Sequence, residues 1–172
     1  MADLALTRHM GAPRPALSWN GLSVSHAAHG RLTLAIGLHR PPLPRRVGEI
    51  AAIDGAQVVA LAPDRWLAAG EDSFGQAAPA LPPDLTLHDV TDAYAGVRID
   101  GPLAEALLGA ATGIDLGPDA FPVGQARLTE FAKTRAVLLR QAGDSFDVFF
   151  DSSVVESIWE WAAVNGALVA SA

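Results

Sequence analysis

Val97-Arg98-Ile99-Asp100-Gly101-Pro102 is the stretch on which the reading of this chain turns. Val97 and Ile99 alternate with Arg98 and Asp100, the period of two expected of a strand with one buried face. Gly101 then reads as a cap and Pro102 as the first helical residue, where a missing N–H costs nothing. Leu103, Ala106, Leu107 and Ala110 supply the apolar stripe of the following helix, and Gly113 reads as its left-handed stop.

The chain stays legible toward the C-terminus. Phe146, Val148 and Phe150 alternate with Ser145, Asp147 and Phe149, so a second strand carries three large apolar side chains on one face. Two shorter runs precede it, 126–131 and 136–139, split by Lys133-Thr134-Arg135. Ser153 and Glu156 have the spacing of a capping box, which starts a helix at about 153. Val154, Val155, Ile158 and Ala162 form its stripe. Trp159 and Trp161 fall on opposite edges, about 160° apart at about 100° per residue, so at least one indole is expected to keep exposed surface.

Toward the N-terminus, residues 32–38 read as a strand and 40–46 as a proline-rich connector. Residues 56–61 and 66–69 read as a hairpin with Pro63 in the turn. Residues 73–80 read as a short helix ended by Pro82-Pro83, and Trp66 as a core residue of this first unit. The hairpin and helix echo the strand pair and helix at 136–162. The fold expected is α+β: split β-α-β units with an antiparallel sheet and packed helices. Residues 1–30 read as an N-terminal arm and 31–172 as a single domain.

At 172 residues and 50% hydrophobic, the chain is long enough to bury a sizeable core without staples. It has no cysteine, which removes disulfides and thiolate chemistry. A net charge of −7 argues against nucleic acid as a partner. The charge is uneven: residues 1–50 carry six arginines against Asp3 and Glu49, while the remainder carries six basic and seventeen acidic residues. No run reaches the ~18 apolar residues of a membrane span, and the N-terminus does not read as a secretory signal. No membrane association and a cytoplasmic location are expected.

Catalytic motifs are missing where they were sought. His26 and His29 lie three apart with no carboxylate nearby, short of the three or four ligands a metal needs. Gly143-Asp144-Ser145 imitates a nucleophile block but precedes a strand, and no later histidine exists to act as its base. No catalytic residue and no metal ligand is assigned.

Four segments together resemble the sarcosine oxidase gamma subunit family and, behind it, the folate-binding domain of the glycine-cleavage aminomethyltransferases. They are Leu61-Ala62-Pro63-Asp64-Arg65-Trp66-Leu67, the 97–102 segment, Asp115-Leu116 with Phe121-Pro122-Val123-Gly124, and Ser152-Ser153 through Trp159-Glu160-Trp161. The resemblance covers roughly residues 58–162. It implies a small subunit beside larger alpha and beta flavoprotein chains and a small delta chain. Those partners would carry FAD, FMN, NAD and tetrahydrofolate, oxidise an N-methyl amine and pass its one-carbon unit to the folate. The aminomethyltransferases have a glycine-rich, acid-containing segment where this chain has Ala132-Lys133-Thr134-Arg135-Ala136-Val137-Leu138-Leu139. With neither the glycines nor the acid, no cofactor is expected on this chain. Tyr94 and Arg98 are its pocket candidates, and Arg40, Arg45, Arg46, Trp159 and Trp161 its interface candidates. The alternative is a freestanding folate- or one-carbon-binding protein using Tyr94 and Arg98.

Overall fold

In the computed structural model, residues 14–27, 29–38, 42–53, 55–70, 74 and 84–172 are described. The strands run β1 (Leu17–Trp19), β2 (Leu22–His26), β3 (Arg31–Ile36), β4 (Ile50–Ile53), β5 (Ala56–Ala62), β6 (Arg65–Gly70), β7 (Thr86–Asp89) and β8 (Tyr94–Asp100). Helix α1 (Ala104–Gly109) follows, then β9 (Ala126–Phe131), β10 (Thr134–Ala142), β11 (Ser145–Asp151) and α2 (Val155–Val169). They form a six-stranded sheet ordered β1-β2-β8-β11-β10-β9 and a five-stranded sheet ordered β4-β5-β6-β3-β7. Neighbouring strands are antiparallel throughout. The five-stranded sheet is nested in the chain between β2 and β8, two strands that pair with each other in the larger sheet.

The two faces of the larger sheet are both covered. Val24, Val97, Ile99, Phe146, Val148 and Phe150 meet Leu107 of α1 and Ile158 and Ala162 of α2. On the opposite face Val137, Leu139 and Phe149 meet Leu32, Val59 and Leu67 of the smaller sheet. Each large apolar side chain buried this way contributes roughly 1.5–3 kcal/mol. Double coverage is why Phe146 through Phe150 are all buried, Asp147 included, instead of alternating. Beyond the smaller sheet, Trp66 lies in a third cluster with Leu43, Val58 and Ala60, and its Nε1 donates to Pro44 O at 2.8 Å.

One loop closes the open side between the sheets. Gly48 N–H donates to Ala60 O at 2.9 Å, and Gly48 O accepts from Ala126 N–H at 2.9 Å, so a single residue stitches β5 to β9. A second fastening is a buried cation. Arg140 is 4% exposed and donates to the carbonyls of Leu116, Phe121 and Gly143 and to Glu105. It thereby holds the loop before β9 and the start of α1 against β10.

Several local expectations need correction. The arm of residues 1–30 is not wholly outside the domain, because β1 and β2 extend the larger sheet through Val24↔Ile99. Gly101 takes a φ of +114° in a turn, and α1 begins only at Ala104. The helix has six residues and buries Ala104, Leu107 and Leu108, a stripe rotated from the expected one; Gly113 is not left-handed. No capping box forms at Ser153. Residues 152–154 make a tight 3₁₀ turn, whose Ser153 N–H donates to the Asp151 carboxylate at 2.9 Å, and α2 starts at Val155. The helix expected at 73–80 lies outside the described residues except for Phe74.

Candidate functional site

Arg98 and Asp147 sit opposite each other on β8 and β11, on the face turned toward the smaller sheet. Arg98 Nε donates to Asp147 Oδ1 at 2.7 Å and Nη2 to Oδ2 at 2.8 Å, a two-pronged pair matched to carboxylate geometry. Gln141 Nε2 donates to the same Oδ2 at 2.8 Å. From the smaller sheet Gln57 faces Gln141, with amide contacts of 3.3 and 3.5 Å. These side chains line a cleft of about 360 Å³ between the two sheets, together with His29, Ser145 and Phe149. His29 Nδ1 lies 2.9 Å from Gly30 O, a carbonyl that can only accept, so Nδ1 is the donor of that bond.

The electrostatics favour a tie over a reactive group. The hydrogen bonds that Arg98 donates to Asp147 raise its pKa above the ordinary value, against the opposing effect of burial. Asp147 is 3% exposed and already accepts three hydrogen bonds, so its oxygens are poorly placed to take a proton from a substrate. Among the described residues no group of three or more His, Asp or Glu could hold a metal.

Tyr94 shares a sheet face with Arg98 but lies four residues away, about 13 Å along a strand at ~3.3 Å per residue. It is half-buried against the apolar cluster between the sheets, and it does not line the cleft. The two pocket candidates therefore do not meet in one pocket.

The interface candidates also part company. Trp159 is 4% exposed and stacks on His26, with centroids 4.6 Å apart and planes at 19°. That core position leaves no free face in the chain alone. Trp161 is half-buried and meets Phe131 edge-on at 5.1 Å. Arg45 and Arg46 are exposed in the loop before β4, where their backbone N–H groups both donate to Glu49 Oε2 at 3.0 Å. Arg40 lies outside the described residues.

His26 accepts a hydrogen bond from Arg14 N–H through Nε2 at 2.9 Å, while the Arg14 guanidinium pairs with Glu156 of α2. Burial first, and the Arg14 charge second, lower the His26 pKa below 6.5. The neutral ring is the form the fold prefers. Its contribution is therefore complete above about 6.5, the unfolded value, and declines as pH falls from there through the folded value. Acidification across that window is expected to speed exchange of the Arg14 N–H and to lower stability. An NMR titration of His26 alongside hydrogen exchange checks this; an Arg14 amide indifferent to His26 protonation would refute it.

Asp147, Gln57 and Gln141 were absent from the sequence-based candidates. The available signal was Asp147 in line with Phe149, two residues on and on the same face.

The pair of stacked antiparallel sheets with α1 and α2 on one outer face defines an α+β domain of the aminomethyltransferase kind. Its backbone is similar to heterotetrameric sarcosine oxidase from Corynebacterium sp. U-96 in complex with pyrrole 2-carboxylate. That likeness has a TM-score of 0.75 at 20% identity, and it covers 91% of this chain and 89% of that one. It is also similar to glycine cleavage system aminomethyltransferase T from Bartonella henselae. Here the TM-score is 0.57 at 14% identity, over 82% of this chain and 45% of that one. The chain belongs to the sarcosine oxidase gamma subunit family, whose model matches residues 25–167. It is 30% identical over 139 residues to sarcosine oxidase subunit gamma of Corynebacterium sp. (strain U-96), covering 77% of this chain and 66% of that one. It is 31% identical over 128 residues to the Arthrobacter sp. subunit gamma, covering 71% and 61%. The chain thus spans just under two thirds of the length of these two relatives.

Proposed function

We propose that this chain is the non-catalytic small (gamma) subunit of a heterotetrameric sarcosine-oxidase-like flavoprotein complex, cytoplasmic and without nucleic-acid or membrane partners. The observation that carries the reading is the family match over residues 25–167. Its partners are larger alpha and beta subunits and a small delta subunit. FAD, FMN and NAD on those partners would supply the redox chemistry, and tetrahydrofolate would accept the one-carbon unit of an N-methyl amine. The inter-sheet cleft of this chain fits a structural role better than a transfer site. Its one carboxylate is neutralised by Arg98 and held by Gln141, so that carboxylate is poorly placed to manage a proton.

Removing this chain from the co-expressed complex is expected to leave the remaining subunits poorly assembled, with turnover down about tenfold or more. A complex of unchanged stability and turnover without it would overturn the reading. The polar cleft of about 360 Å³ favours a second reading, a freestanding tetrahydrofolate-binding protein. Titration calorimetry of the purified chain separates the two, since absence of heat at high micromolar ligand disposes of the second.

A further inference from the structure

We propose that a hollow beside Gly48 seats an extended acidic segment of a partner subunit, its carboxylates received by Arg46 and Arg127 and its apolar side chains by Val47 and Val123. The inference rests on the subunit reading above and names the surface and the partner chemistry it would use.

The hollow, of about 640 Å³, lies between the loop before β4 and the start of β9. Gly48 brings its walls together: a Cβ at that position would stand only 3.4 Å from Arg127 Nη1. Arg127 is held without being neutralised. Nη1 donates to Ala126 O at 3.0 Å and Nη2 to Ala120 O at 2.8 Å, and the guanidinium carbon lies 5.1 Å from the Phe121 ring centroid. Carbonyls and a ring face fix its orientation but supply no counter-charge.

Four other arginines do have a carboxylate partner: Arg14, Arg31, Arg98 and Arg140 pair with Glu156, Asp89, Asp147 and Glu105 in turn. Among the described residues Arg45, Arg46, Arg65, Arg127 and Arg135 do not. Of these, Arg65 and Arg135 are exposed on strands away from the hollow, whereas Arg46 and Arg127 both line it. The one acid in the wall, Glu49, is engaged by the N–H groups of Arg45 and Arg46. In a chain of net charge −7, a pre-oriented cation beside a second, exposed one makes a local positive seat.

The apolar part selects the occupant. Val47 is 54% exposed on one wall and Val123 55% on the other, and Leu128 is 46% exposed on the adjoining edge strand β9. A free inorganic anion would use the arginines and leave the valines wet. A peptide segment in which Asp or Glu alternates with apolar residues satisfies both, because extended side chains alternate in direction.

The test is reconstitution of the complex from its partner subunits with variants of the full chain, measuring association. Arg46→Glu, Arg127→Gln and Val123→Asp are each expected to weaken association about tenfold or more, while Arg127→Lys loses less. Wild-type association should weaken as salt rises from about 0.05 to about 0.3 M, as screening shortens the reach of the arginines. Arg65→Glu, on a different face, should change nothing. Arg46 makes no side-chain bond within the described residues, so its variant folds even if Arg127→Gln does not. A complex that forms normally with Arg46→Glu overturns the proposal and leaves the subunit reading standing. A wild-type chain that never assembles with the partners overturns both. Saturable binding of inorganic phosphate at Arg127, with association unaffected by the variants, overturns it in favour of a small-anion site.

Discussion

Arg140→Ala is expected to destabilise the chain by about 3–5 kcal/mol, the range found when one member of a buried charged network is removed. The guanidinium is almost wholly enclosed. Nη1 donates to Leu116 O at 2.7 Å and Phe121 O at 3.1 Å, and Nη2 to Gly143 O at 2.6 Å and Glu105 Oε1 at 2.5 Å. Nε adds 3.1 Å to Gly143 O, and the cation lies 5.0 Å from the Phe146 ring centroid. Alanine would leave three carbonyls with their main donor gone, each costing about 1–3 kcal/mol where water cannot replace it. The Glu105 share is the smallest, because that side chain is 40% exposed and water takes over its oxygen. At roughly 2–4 °C per kcal/mol for a chain of this size, the melting temperature should fall by roughly 10 °C. Hydrogen exchange should show the 115–121 loop loosening first. Arg140→Met keeps much of the stem packing and should recover only part of the loss. A denaturation free energy within about 1 kcal/mol of wild type would show that the loop holds itself.

Gly48→Ala is expected to cost about 2–4 kcal/mol, from two separable causes. The backbone there has a φ of +84°, and holding an L side chain in that region costs about 1–2 kcal/mol. In addition, the new Cβ would fall 2.3 Å from Ala126 O, an overlap that backbone must yield to. Yielding means parting Ala126 N–H from Gly48 O, the stitch between the sheets. Gly55→Ala is the internal control, because Gly55 has a similar φ of +78° but open space around its would-be Cβ. The difference between the two variants in urea denaturation isolates the cost of prising the seam. Equal losses would mean the seam contributes nothing beyond backbone strain.

Much of the fold was legible because apolar spacing is local information. The strand at Val97 and Ile99, the 56–69 hairpin and the run of strands from 126 to 150 can each be seen within a few residues, and together they give the α+β class. What escaped depends on residues that are distant in sequence. Asp147 looks like a solvent-facing strand residue until a second sheet covers that face, and only Phe149 on the same face hints at that cover. β2 alternates properly as Leu22-Ser23-Val24-Ser25-His26, but Ala-, Pro- and Gly-rich flanks disguise it, and its partner β8 begins only at Tyr94. Arg140 ends an apolar run and passes for a strand's polar finish; only the folded loop supplies its carbonyls. At the candidate site, Arg98 was recognisable as a cation in want of an acid, whereas pairing it with Asp147 needed the register of β8 on β11. Arg127 gave no signal, since its distinction is the absence of a counter-charge around it in space.

The nesting of the smaller sheet between β2 and β8 bears on the order in which the molecule can be made. A ribosome releases β1 and β2 first, and this short pair has no further strand to join until the whole of β3 to β7 has emerged. During that interval β5 and β6 can already close their short hairpin, a contact whose loop-closure cost is small. The larger sheet waits for β8 and then for the β9–β11 meander, so its completion brings together the two ends of the described chain. Non-local pairing of this kind is the slow class of folding event. From topology alone, the smaller sheet is expected to form early and the β2–β8 pairing of the helix-covered sheet to close late, joining two halves into one domain.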